Sequence, residues 1–84
     1  TLMFESIRNL ANVIQQALET EFPEMSHHWS GDFHVVGANT DQPRVWAEFI
    51  SHGGAHSVTS WVTLVNGECR TAEDLEGMEE FLAI

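Results

Sequence analysis

The spacing of the apolar residues changes along this chain of 84 residues, from a helical period to an alternating one and, near the end, back to a helical period. Up to residue 21, apolar side chains recur every three or four positions, as on the buried face of a helix. From residue 44 to residue 65 they alternate with polar ones, as in strands with one buried face. A chain this short buries about one helical layer against one sheet. The pattern therefore predicts a single α+β domain.

Residues 4–21 are predicted to form an amphipathic helix that ends before Pro23. The apolar side of this helix carries Ile7, Leu10, Ala11, Ile14 and Leu18. The stretch from Glu24 to Asp32 is rich in turn-forming residues and contains the turn signal Ser30-Gly31-Asp32. We therefore expect an irregular connection there rather than a strand.

Three strands are predicted to follow, at residues 33–37, 44–51 and 57–65. Turn residues at 39–43 and a glycine loop at 52–56 separate them. Because these connections are short, we expect an antiparallel meander. The face predicted to lie under the helices carries Val45, Phe49, Val58, Val62 and Leu64.

A second helix is predicted at residues 72–83, with Thr71 as its N-cap. The element order is then α-β-β-β-α, with a three-stranded antiparallel sheet packed against two helices. The domain is expected to span residues 3–84. Thr1 and Leu2 precede a natural starting methionine, so we take these two residues as a remnant of expression.

The charge balance limits the class of partner. Thirteen acidic residues face only three arginines, and the formal net charge is -10. A field of this sign repels nucleic-acid phosphates and anionic lipids, so we expect neither direct nucleic-acid binding nor membrane binding. A basic protein, itself a binder of nucleic acid, is the expected partner. The alternative is that the acidity only keeps the protein soluble.

A cytoplasmic location is expected for the chain. Its single cysteine, Cys69, cannot form an internal disulfide, and small domains of oxidising compartments usually carry several. Its apolar runs are also too short for a bilayer span or a signal sequence. We predict no cofactor, since no residue pattern in the sequence requires one.

Five carboxylates lie close together near the end of the chain and are predicted to spread over the solvent face of the last helix. They are Glu73, Asp74, Glu76, Glu79 and Glu80. We interpret them as a surface that imitates nucleic acid and enters the basic groove of a partner, with help from Glu19, Glu21 and Glu24. A merely solvated acidic face is the alternative. In size and charge the chain resembles phage-encoded inhibitors, including DNA mimics and anti-CRISPR proteins.

Trp46 and Trp61 are predicted to lie on neighbouring strands, on the sheet face opposite the valines. If that face is uncovered, the two indoles form an apolar patch that suits an interface anchor. Three alternatives remain open: Trp29 and the segment from Pro23 to Asp32 cover the indoles, the indoles form a small second core, or the face is a homodimer interface that would make the protein a structural subunit.

Five histidines support an alternative function, the binding of a metal or a small ligand. They are His27, His28, His34, His52 and His56. His52 and His56 have a spacing that binds zinc on a helix, but they flank two glycines, and no cysteine pair completes a known pattern. No local signature of a thiol or serine enzyme is present, so we predict that the protein is not an enzyme.

Overall fold

The computed structural model describes residues 2–37, 41 and 43–73, with side chains from residue 6 onward. Within these residues one helix precedes a meander of four strands. The elements are α1 (Leu2–Glu21), β1 (Ser26–Val36), β2 (Arg44–Gly53), β3 (His56–Val65) and β4 (Glu68–Ala72). The sheet order is β1-β2-β3-β4, and every neighbouring pair is antiparallel. The predicted α+β class and the antiparallel meander are confirmed.

Helix α1 ends close to where Pro23 predicts. The Phe22 N–H still donates to the Leu18 carbonyl at 2.7 Å, and a turn closed by the Met25 N–H on the Phe22 carbonyl at 3.2 Å leads into β1. Among the residues that the structure describes, no helix combines the length and the apolar character that crossing a membrane requires.

The core lies between α1 and one face of the sheet. It contains Ala11, Ile14 and Leu18 from the helix and Ala47, Phe49 and Val62 from the sheet. The predicted apolar sides of the helix and the sheet therefore do face each other. Val58 also lies on this side of the sheet, because it pairs with the buried Ser51, yet it is 51% exposed. The face is thus covered near Phe49 and open near Val58.

Strand β1 begins at Ser26, so the predicted irregular stretch is wrong over most of its length. Trp29 pairs with Phe49 and Phe33 pairs with Ala47, which leaves the three residues 30–32 opposite a single residue of β2. This is a bulge, and Gly31 adopts the positive φ of 98° within it. The Trp29 indole N–H donates to the Asp32 carbonyl at 2.9 Å and closes the bulge. Turn-forming residues thus interrupt a strand here rather than separate two elements.

The prediction of three strands is also wrong, because β3 continues through a hairpin into β4. Asn66 and Gly67 form the two-residue turn, with positive φ angles of 53° and 82°. Such angles at both positions define the turn type that matches strand twist, and Asn-Gly is its preferred sequence. Thr71 pairs with Val62 inside β4, so it is not a helix N-cap. The predicted second helix cannot include Ala72, which also belongs to β4, and residues 74–83 lie outside the described residues.

Candidate functional site: an acidic cleft at the end of helix α1

An open cleft lies between the last turns of α1 and the β3–β4 hairpin, with a volume of about 620 Å³. The helix contributes Ala17, Thr20 and Glu21, and the hairpin contributes residues 67–70. Helical spacing brings Ala17, Thr20 and Glu21 to one side of α1, and the tight Asn-Gly turn directs β4 back along them. Glu21 and Glu68 therefore line one cleft, although they are distant in sequence. Because Glu68 pairs with Val65, its side chain projects from the sheet face opposite α1.

The electrostatic character of the cleft is negative for two reasons. The carboxyl end of α1 carries the negative end of the helix dipole, and its last turn contains no basic residue. Glu19 and Glu21 are exposed in that turn, where acidic side chains destabilise a helix by roughly 0.3–1 kcal/mol each. The Arg70 guanidinium lies 3.4 Å from the Glu68 carboxylate, and both side chains are well exposed. A solvated ion pair of this kind only partly offsets the negative field.

Cys69 lines the cleft, and the pKa of its thiol responds to burial and to the negative charge there. Desolvation by burial raises the pKa of its thiol above the ordinary range, and the Glu21 carboxylate raises that pKa further. A higher pKa means less thiolate at a given pH, so Cys69 is a poor nucleophile and a poor candidate for catalysis. It packs instead against the edge of the core.

We expect Glu21→Gln to increase the rate at which iodoacetamide alkylates Cys69 near neutral pH. Removing the carboxylate lowers the pKa of the thiol and so increases the thiolate fraction. Rates measured over a pH series, with Glu19→Gln as the control, test this expectation. An identical pH profile for wild type and Glu21→Gln would show that the carboxylate does not act on the thiol. Since the folded-state pKa is raised, stability should also fall as the pH rises past the pKa of a free thiol.

The predicted acidic cluster is only partly within the described residues. Glu73 is exposed and follows β4 directly. Asp74, Glu76, Glu79 and Glu80 lie outside the described residues. Glu68 was missed, because its role depends on the hairpin that brings it beside α1. The Asn66-Gly67 pair was the local signal that could have revealed that hairpin.

The tryptophan patch is corrected by the structure. Trp61 pairs with Glu48, two positions from Trp46, so both tryptophans do lie on the sheet face opposite α1. Trp46, however, is fully buried, and Trp61 is half-buried. The His34 ring on β1 and the Trp61 ring on β3 have centroids 6.5 Å apart, so they meet across β2 beside Trp46. Because Trp46 is buried, it cannot serve as an accessible anchor. Of the two tryptophans on which the dimer hypothesis was based, only Trp61 retains exposed surface.

The histidines do not converge. Over the described residues, no group of three or more histidine, cysteine or acidic side chains has a geometry that could hold a metal ion. His28 and His52 lie on one sheet face with ring centroids 6.0 Å apart. His34 contacts Trp61, and His27 is buried on the opposite face. Within the described residues the histidines thus form one close pair, His28 with His52, and no group of three.

Both ring nitrogens of the buried His27 have hydrogen-bond partners within the fold. Its Nδ1 lies 2.8 Å from the Ser51 hydroxyl, and its Nε2 lies 3.3 Å from the Phe22 carbonyl. A carbonyl only accepts, so Nε2 donates to it, and in that tautomer Nδ1 accepts the Ser51 O–H. A serine bonded to an oriented histidine resembles part of a catalytic pair. Here the bonds satisfy buried polar groups and fasten the start of β1 to the end of α1.

Comparisons of the chain with protein-family models, with curated proteins and with solved structures found no match.

Proposed function

We propose that this protein is a small acidic inhibitor or adaptor that docks on a basic, nucleic-acid-handling protein in the cytoplasm. The observation that carries the proposal is the cleft that Glu21 and Glu68 both line at the negative end of α1. A lysine or arginine side chain of a partner is the chemical group that such a cleft favours.

The distribution of charge supports a cationic partner. Glu48 is half-buried, and every other acidic side chain that the structure describes from residue 6 to residue 73 is exposed. Acids at the carboxyl end of a helix lower its stability, so their presence in the last turn of α1 fits selection for binding rather than for folding. The summed field also accelerates encounter with a basic protein and repels free nucleic acid.

The sequence extends this acidity beyond the cleft. Glu73 is exposed, and four more carboxylates follow it within seven residues of sequence. We propose that the cleft and these acids together occupy a surface that normally binds phosphates, as in a phage-type DNA mimic or an anti-CRISPR-like inhibitor. The proposal assigns no catalytic step and requires no cofactor.

The first experiment is affinity capture on the immobilised protein from lysates of the source cells or their host. The proposal predicts that the retained protein is basic, binds nucleic acid, and is released by rising salt and by double-stranded DNA. Salt release reports the ionic contribution, and release by DNA shows that the two ligands compete for one surface. Retention only of proteins that resist both salt and DNA would contradict the proposal.

A matched pair of double variants separates a specific contact from the effect of net charge. Neutralising the cleft with Glu21→Gln and Glu68→Gln should weaken binding of the captured protein by roughly two- to thirtyfold, as expected for two exposed ion pairs. Asp32→Asn with Asp41→Asn changes the net charge equally at exposed positions outside the cleft lining. Binding affinities measured over a salt series should change much less for this control.

Equal weakening by the two double variants would show that net charge, rather than the cleft, drives binding. A third variant, Glu79→Lys with Glu80→Lys, tests the acids at the end of the chain. If this third variant alone weakens binding and its salt dependence, the contact belongs to the final acidic cluster. In that case the cleft is not the site.

A further inference from the structure

A second depression opens beside the acidic cleft, where the helix-facing side of the sheet extends past the end of α1. This groove has a volume of about 200 Å³. Leu18, Phe22, Met25 and Val58 contribute its apolar lining. The groove therefore lies over the part of the sheet that α1 leaves uncovered.

The walls of the groove expose apolar surface. Phe22 is 44% exposed and Val58 is 51% exposed, although both are large hydrophobic residues. Met25 lies over Gly53, where an added Cβ would come within 3.1 Å of the Met25 Cγ. That contact fixes one side of the groove, because a larger residue than glycine would displace the methionine.

The polar groups at the bottom of the groove are already engaged. His27 and Ser51 line it, but both ring nitrogens of His27 have partners and the Ser51 hydroxyl donates to one of them. A strongly polar ligand would have to break these buried hydrogen bonds or rely on the hydroxyls of Ser60 and Thr71, which also line the groove. An apolar side chain can enter without doing so. The groove therefore fits an apolar group.

The groove and the acidic cleft are lined by residues that are adjacent in sequence. Glu21 lines the cleft and the next residue, Phe22, lines the groove. On the opposite side, Arg70 lines the cleft and Thr71 lines the groove. An apolar side chain in the groove is thus adjacent to a site where the field favours a cation.

From this juxtaposition we infer that the groove receives an apolar side chain of a basic partner segment, whose neighbouring lysine or arginine enters the Glu21–Glu68 cleft. The inference rests on the proposed function, since charge complementarity identifies the occupant as part of a cationic protein. Charge then provides steering, and the apolar anchor provides most of the residence time.

Two synthetic peptides of equal length and charge test this inference directly. One consists of lysine and serine, and in the other the central serines are replaced by leucine. Calorimetry with the full chain should show the leucine peptide binding about tenfold more tightly, as expected for burying one leucine side chain. Val58→Ser should remove most of this advantage.

Val13→Ser is the matched control, because Val13 is also 51% exposed but does not line the groove. Val13→Ser should retain the leucine advantage. Phe22→Ser provides a second groove variant, and its site lies after the last residue of α1, outside the regular elements. Circular dichroism checks that each variant is folded. Because there are two groove variants, the test does not depend on Val58→Ser alone.

The outcomes distinguish this inference from the proposed function. If both peptides bind equally well and Glu21→Gln with Glu68→Gln weakens both, the acidic cleft stands and the groove inference is overturned. A leucine advantage that survives both groove variants overturns it as well. If neither peptide binds, both proposals fail for this surface. A self-association that Val58→Ser abolishes would assign the groove to a second copy and overturn the inference.

Discussion

Replacing Phe49 with alanine is expected to lower the free energy of unfolding by about 3–5 kcal/mol. Phe49 is fully buried between α1 and the centre of the sheet, and its removal leaves a cavity that its neighbours cannot close. A domain of this length has a total stability of roughly 4–13 kcal/mol, so the loss is a large part of the whole. Urea unfolding followed by circular dichroism measures it.

Phe33→Ala is the control for this substitution. Phe33 is 38% exposed on the same strand pair, so its removal should lower the free energy of unfolding by less than about 1.5 kcal/mol. An unchanged slope of free energy against urea would show that both variants unfold from comparable states. If the two substitutions lowered stability equally, Phe49 would not be at the centre of the core.

His27→Leu is the second substitution with a large expected effect, a loss of about 2–3 kcal/mol. Leucine fills much of the space but leaves the buried Ser51 hydroxyl without its histidine partner. The Phe22 carbonyl keeps the Met25 N–H as a donor, so the loss arises mainly at Ser51. His28→Leu, at the exposed neighbouring position, should change stability by less than about 0.5 kcal/mol.

A double-mutant cycle assigns the His27 effect to its bond. If the hydrogen bond is the cause, adding Ser51→Ala to His27→Leu should recover part of the loss, with a coupling energy of about 1 kcal/mol or more. Chemical denaturation of the four proteins gives this energy. Strictly additive effects would mean that His27 contributes by packing alone. The same variants should weaken binding in the groove, because His27 and Ser51 form its lower surface.

Local patterns failed where a short motif had two structural meanings. Ser30-Gly31-Asp32 is typical of a turn between elements, yet it forms a bulge within β1, because flanking residues on both sides pair with β2. Conversely, Asn66-Gly67 follows the predicted third strand directly and is the turn of a hairpin. Only the presence of a partner strand distinguishes these cases, and partner strands are long-range information.

The candidate site shows the same division. The sequence predicted an acidic surface that includes Glu21. It could not predict that Glu68 lines the same cleft, because the end of α1 and the β3–β4 hairpin come from distant parts of the chain. It placed Trp46 and Trp61 on one face correctly, because alternation fixes which way each side chain points. It could not determine that Trp46 is buried, since burial depends on what covers the face.

By itself, therefore, the sequence determined the α+β class, the buried side of α1, the two faces of β2 and β3, and the negative charge that favours a basic partner. These are properties of local periodicity and composition. The tertiary structure alone decided the strand count, the loss of Trp46 as an anchor, and the placement of Glu21 and Glu68 along one cleft beside an apolar groove. Those features require contacts between segments far apart in the chain, which a local pattern does not encode.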